Sequence, residues 1–231
     1  MSTTIYLSEL ANLASHCEPE KIRKLLPSSE CQKAERFNSP AAKLRFLAGR
    51  LMCRTLLSRE LSLAPADINI AISDQGKPIL DHSGGVHFNL SHSGDWLALG
   101  ISCCGPLGID LEQAQKKRPW LAIAKQFFTS AEVEKLSFLN EAALEREFYR
   151  LWTLKEAFFK ARGTGLAEGL AKVDFSNSTN PQAPEELKPD KWRGEHWPPQ
   201  LLSTEHTYLA CIHQSAETPK LIHWSLPAQT V

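Results

Sequence analysis

The chain has 231 residues, 42% of them apolar and 23% charged. Lysine plus arginine and aspartate plus glutamate each number 26, so the formal net charge is zero and no global positive charge marks a nucleic-acid binder. No apolar run reaches the ~18 residues that a membrane span needs, and the opening MSTTIYLSEL lacks the basic-then-apolar order of a secretory signal.

Six cysteines at 17, 31, 53, 103, 104 and 211 have no zinc-ligand spacing. A chain of this length needs no disulfide framework, so a cytoplasmic protein with reduced thiols is expected. The length suits one large domain or two small ones.

In chain order, TTIYLS (3–8) reads as a first strand. Residues 18–37 read as helix broken at Pro27. Ser39-Pro40 then opens a long helix to about Leu61, because Ser is a good N-cap and Pro suits the first turn. INIAIS (68–73), VHFNLS, WLALGIS and LGIDLE read as strands. The tight breaks at Ser93-Gly94-Asp95 and Cys104-Gly105-Pro106 predict an antiparallel meander.

The second half repeats this plan. Helices are expected at 119–127, at 130–138 with Ser130 as its cap, and at about 141–162, ending at Gly163. Strands are expected at AKVDFS, near QLLST, at TYLACI and at LIHWS, with a Pro-rich polar connector between 176 and 200. The expected fold is α+β: two pseudo-symmetric α/β halves, each a long helix packed on a small, mostly antiparallel sheet. The halves are placed at 1–106 and 107–231.

The charge is unevenly spread. Residues 21–59 hold ten basic side chains, among them Lys33 and Arg45, against Glu30 and Glu35. A local excess of +8 reads either as a solvated helix face or as a site for a polyanion such as a nucleotide phosphate.

Three segments carry chemistry. In Gly108-Ile109-Asp110-Leu111-Glu112, alternation along a strand puts Asp110 and Glu112 on one face. Two carboxylates side by side repel unless a cation or a proton intervenes, and oxygen donors with substrate phosphates suit Mg²⁺. A solvated strand end is the plainer alternative. On the helix, Trp152, Glu156 and Lys160 fall at i, i+4 and i+8. Glu156 then offers a third carboxylate and Lys160 a cation, or the two form an ordinary surface pair. In Phe88-Asn89-Leu90-Ser91-His92-Ser93, Ser91 and His92 point to opposite strand faces. That disfavours a Ser-His-Asp hydrolase with Asp110 as the orienting acid, and no G-x-S-x-G elbow occurs. A phosphate-binding turn or a hydrogen-bonded strand end remains. Lys77, in the turn Gly76-Lys77-Pro78, projects a single ammonium. P-loop and dinucleotide fingerprints are absent.

GKP at 76–78, FNLSHSG at 88–94, GIDLE at 108–112, FFTSAE at 127–132 and FYRLWTLKEAFFKARGTGL at 148–166 together resemble the 4′-phosphopantetheinyl transferases, and most closely their long, surfactin-type class. The resemblance covers about Arg36 to Leu166. It implies transfer of the 4′-phosphopantetheine arm of coenzyme A to a serine of an apo acyl, peptidyl or aryl carrier domain, with release of adenosine 3′,5′-bisphosphate. It places Mg²⁺ and the pyrophosphate on Asp110, Glu112 and Glu156. It gives Lys160 to the pyrophosphate and leaving phosphate, and Glu156 to the serine proton. Lys77 and Ser91 would line the nucleotide site, and Lys33, Arg45 and His92 the 3′-phosphate. Lys155 joins the cofactor set without a distinct role. Glu30 stands where related enzymes often carry another lysine.

An acidic carrier is expected to meet Lys116, Lys117, Arg118, Trp120, Lys125, Phe127 and Phe128, the two phenylalanines being core residues in the alternative reading. No nucleic acid or membrane partner is expected, and the chain is taken as a monomer. The competing functions are a Mg²⁺-dependent phosphohydrolase and a coenzyme A-binding module without turnover.

Overall fold

The computed structural model describes residues 2–81, 84–165, 169–181 and 192–226. Two helices of equal length organise it. The first, α4 (Pro40–Leu61), follows strand β1 (Thr3–Glu9) and three short helices, α1 (Ala11–Ala14), α2 (Pro19–Ile22) and α3 (Ser28–Ala34). Ser39 Oγ accepts from Ala42 N, Pro40 takes the first turn, and the helix ends at Ser62 in the left-handed region. The second, α7 (Glu141–Arg162), also spans 22 residues. It is capped by Asn140 and terminated by Gly163 at φ 74°, where a residue without Cβ adopts the left-handed turn without strain.

Strands β2 (Ile70–Ile72) and β3 (Pro78–Leu80) form a small hairpin. A four-stranded sheet follows the order β4-β5-β1-β9 and a three-stranded one the order β6-β8-β7. Here β4 is His87–Ser93, β5 Trp96–Ser102, β6 Gly108–Gln113, β7 Arg193–Trp197, β8 Thr207–His213 and β9 Lys220–His223. The expected helix-on-sheet plan, built twice, is therefore present. The last strand, β9, runs parallel to β1 and so returns the chain to the sheet of the first half.

Strand alternation explains the layering. Leu97, Leu99 and Ile101 of β5 pack toward α4. Ile5, Leu7, Ala98, Ile109, Leu111, Leu209 and Cys211 form a central core between the two sheets. On the far side, Tyr208, Ala210 and Ile212 of β8 pack with Leu154, Ala157, Phe158 and Ala161 of α7. The order is helix, sheet, sheet, helix, and the central strands β5 and β8 bury both faces.

Several local expectations need correction. The meander stops at β5: β4 and β5 form an antiparallel hairpin, but β6 pairs with β8 in the other sheet. The cap of α6 (Ser130–Ser137) is Thr129, not Ser130, in a capping box with Glu132. The stretch read as strand AKVDFS begins instead as a 3-10 turn, Leu170–Lys172. Its backbone is committed elsewhere: the Leu170 and Val173 carbonyls accept from Lys155 Nζ, and Phe175 N donates to Glu132. QLLST is a turn wound by Pro198 and Pro199, with Ser203 left-handed at φ 53°. Within the connector, β7 pairs antiparallel with β8; its polar sequence, RGEHW, hid an edge strand. Among the described residues, no helix is long and apolar enough to cross a membrane.

Candidate active site

The site forms where β6 meets α7. Gly108 makes this possible: a Cβ there would lie 2.1 Å from the Ala157 carbonyl oxygen and 2.2 Å from Ala161 N. Helix and strand backbones are nearly in contact, so the residues beyond Gly108 on the strand stand near those just before Ala157 and Ala161 on the helix. On β6 these are Asp110 and Glu112, and on α7 Glu156 and Lys160. Lys160 Nζ is 2.6 Å from Asp110 Oδ1 and 3.9 Å from Glu156 Oε2. It also donates to Ser91 Oγ at 3.1 Å.

Asp110 is 3% exposed. Its Oδ1 accepts from Lys160 and from Ser91, but its Oδ2 is buried without a hydrogen-bond partner. Such an atom normally finds one. Glu112 accepts from Ser93 Oγ at 3.0 Å. Burial and then the Asp110 charge push the Glu112 carboxyl up, against the pull of Ser93, Arg118 and Lys160. Burial and Asp110 push Glu156 up to about 7, with Lys160 pulling it back and Glu112 adding to the rise. Burial alone would lower the Lys160 ammonium, yet Asp110, Glu156 and Glu112 hold it above the usual lysine range. The centre is thus three crowded carboxylates partly neutralised by one ammonium.

Cations flank it. His92 is on the opposite strand face from buried Ser91 and keeps part of its surface exposed, as strand alternation requires. Burial, then Arg45, then Lys160 lower its pKa, so positive charge already surrounds it. Beyond Lys160, a cavity of about 510 Å³ is lined by Lys77, His87, Phe88, Ala161, Arg162 and Gly163, among others.

A family profile described as the 4′-phosphopantetheinyl transferase superfamily matches residues 106–222, and one described as 4′-phosphopantetheinyl transferase, N-terminal, matches 14–104. The Synechocystis protein slr0495 is 38% identical over 175 residues, 75% of this chain and 70% of that protein. The 4′-phosphopantetheinyl transferase psf-1 of Bacillus pumilus is 34% identical over 182 residues, 78% of this chain and 77% of its own length. The 4′-phosphopantetheinyl transferase Sfp of Bacillus subtilis is 33% identical over 150 residues, 65% of this chain and 66% of its own length, just under two thirds. The chain belongs to the 4′-phosphopantetheinyl transferase superfamily. It is therefore a transferase.

In this transferase, the structure gathers Asp110, Glu112, Glu156, Lys160 and Ser91, with Arg45 and His92 alongside. It removes others. Lys155 has no exposed surface, so the cofactor-binding reading does not fit its position. Its ammonium pairs with Glu132, also fully buried, at 2.7 Å and lies 5.2 Å from the Phe128 ring centre. Lys77 lines the cavity, but its ammonium donates to the carbonyls of Leu107, Lys160 and Ala161, closing the end of α7. Burial lowers it to about 8. Lys33 lies on α3 with its ammonium 5.5 Å from the Phe46 ring centre. Glu30 forms a two-pronged pair with Arg54, at 2.8 and 3.1 Å, and meets Arg50 at 3.5 Å. It thereby takes two cations of the basic stretch into the scaffold.

On the far side, Trp120 and Phe128 are core residues rather than surface anchors, and Lys117 pairs with Glu141. Lys116, Arg118 and Lys125 are exposed. Phe127 of α5 (Trp120–Phe127) is 38% exposed and meets Trp152 edge-on at 6.3 Å. Gly108, Asn89 and Ser93 lie inside the GIDLE and FNLSHS motifs, each two residues from Asp110 or Ser91, and that strand alternation is the signal in the sequence for their roles.

Proposed function

We propose that this transferase moves the 4′-phosphopantetheine arm of coenzyme A to a serine hydroxyl of an apo carrier protein, with Mg²⁺. The observation that carries the reading is the meeting of Glu156 and Lys160 with Asp110 through the Gly108 contact. A plain surface ion pair on α7 would not lie against a second, buried carboxylate.

The donor chemistry fits a hard divalent cation. All candidate ligands are carboxylate oxygens, and the Asp110 Oδ2 atom is buried and unpartnered. Among the described residues, no three such groups are gathered closely enough to hold an ion as they stand; Lys160 already occupies the Asp110 Oδ1 side. Asp110, Glu112 and Glu156 are the residues that would hold Mg²⁺, which when bound supplies charge neutralisation on the pyrophosphate oxygens.

The chain's own groups divide the remaining tasks. Glu156, on the helix face beside Lys160, accepts the proton of the carrier serine as its oxygen forms the new bond to phosphorus. The bond from that phosphorus to the bridging oxygen breaks, and the electron pair leaves with adenosine 3′,5′-bisphosphate. Lys160 donates to the departing phosphate oxygen. Arg45 and His92 hold the 3′-phosphate, with Lys33 further out on α3. Lys77 and Ser91 act from the walls of the nucleotide site through the groups they position. Lys116, Arg118 and Lys125 steer an acidic carrier, and Phe127 extends that surface toward Trp152 at the head of the Glu156 stripe.

Apo carrier domains incubated with the protein, coenzyme A and Mg²⁺, and read by intact mass, test this. The expected result is one phosphopantetheine added per reactive serine. Coenzyme A cleavage without a carrier would indicate a phosphohydrolase instead, and binding without either change a non-catalytic module.

A further inference from the structure

The strand β6 is an edge of its sheet, paired with β8 on one side only. Its outward amides do not face water. Ile109 N donates to Asn89 Oδ1 at 2.8 Å, Leu111 N to Ser91 Oγ at 3.2 Å, and Gln113 N to Ser93 Oγ at 3.0 Å. Alternate side chains of β4 thus stand where a neighbouring strand's carbonyls would be. Two of them do more. Ser91 Oγ donates a hydrogen bond to Asp110 Oδ1, and Ser93 Oγ donates one to Glu112 Oε2. Each hydroxyl therefore ties the amide of one β6 residue to the carboxylate of the residue before it.

A backbone ladder could not do this. A carbonyl only accepts, whereas a hydroxyl accepts from the amide and donates to a carboxylate at once. The comb also fixes the register of the two halves: a slip by one residue would aim β4 side chains at the wrong face. Asn89, which borders no carboxylate, needs only to accept, and an amide oxygen suffices there.

We propose that Asn89, Ser91 and Ser93 form a side-chain comb that joins the two halves and sets the positions of Asp110 and Glu112. Ser93 is the positioning residue for Glu112. It acts through that carboxylate and touches no substrate. The proposal rests on the transferase reading for its catalytic consequence, but not for the comb itself.

Hydrogen–deuterium exchange on the full-length protein tests the comb without any ligand. Ser93→Ala should raise exchange at the Gln113 amide about 3- to 10-fold, the worth of one hydrogen bond. Ser93→Thr, which keeps the hydroxyl, should restore it. In the carrier-modification assay, Ser93→Ala should raise the Mg²⁺ concentration for half-maximal rate several-fold while the KM for coenzyme A stays within twofold. Asn89→Leu and Asn89→Asp give an independent reading at the Ile109 amide, faster in the first and protected in the second, should Ser93→Ala not fold. Unchanged exchange at Gln113 and Ile109 would overturn the comb. Raised exchange with an unchanged Mg²⁺ requirement would overturn the positioning role. A wild-type protein that shows the exchange pattern but modifies no carrier would instead overturn the transferase reading of this site.

Discussion

Gly108 and Ala157 approach backbone to backbone: a Cβ on the glycine would stand 2.1 Å from the alanine carbonyl oxygen. No side-chain rearrangement relieves that overlap, because the opposing atoms belong to α7 itself. Gly108→Ala must push β6 and α7 apart. Overpacking of this kind typically costs about 1–3 kcal/mol, and the same movement separates Asp110 from Lys160. A lowered Tm together with a loss of turnover beyond ~10-fold is expected. Thermal melts and carrier modification read on the same preparation check both.

Asp110→Ala removes the carboxylate whose Oδ2 is buried and unpartnered and frees Lys160 from its 2.6 Å contact. Turnover should fall at least ~100-fold, because charge stabilisation at the transferring phosphate is worth several kcal/mol. Rates measured across a Mg²⁺ titration check this. Near-normal turnover at limiting Mg²⁺ would remove Asp110 from the ion's ligands.

Arg45 and His92 make a prediction about the cofactor rather than the metal. If they hold the 3′-phosphate, coenzyme A should outperform its dephospho form by roughly 10- to 150-fold, the range for a hydrogen bond to a charged group. Arg45→Ala should shrink that preference by weakening only the full cofactor. Equal losses for both cofactors in kcat/KM would place Arg45 outside the phosphate site.

The Lys155–Glu132 pair is a stability element. Both side chains are fully buried at 2.7 Å, and Glu132 also accepts from Thr129 N and Phe175 N. Lys155→Met leaves a buried carboxylate without its cation and should cost about 3–5 kcal/mol. Adding Glu132→Gln should recover part of that loss, and folded Lys155→Met protein should keep the KM of wild type for coenzyme A. Denaturant midpoints and KM values together separate this scaffold role from a role in the cofactor site.

Much of the site was legible because strand and helix periodicity are local. The pairing of Asp110 with Glu112, and of Glu156 with Lys160, follows from spacings of two and four. The two 22-residue helices were readable from caps and a terminal glycine. Lys155 sits one residue before Glu156 in the same motif, about 100° round the helix, in line with buried Leu151 and Phe159; its charge masked that core position. Trp120 and Phe128 are flanked by a basic segment that suggests a surface, yet both are buried, Phe128 against Phe148 and Trp152 from a distant element. Strand β7 escaped notice because an edge strand need bury only one polar-looking face.

The central claim is tested most directly by measuring holo-carrier and adenosine 3′,5′-bisphosphate in one reaction of the wild-type protein with coenzyme A, Mg²⁺ and an apo carrier. Equal molar yields of the two are predicted, both falling together in Glu156→Gln and Lys160→Ala. Nucleotide released in excess of holo-carrier, or released at the same rate with no carrier present, would contradict group transfer at this site.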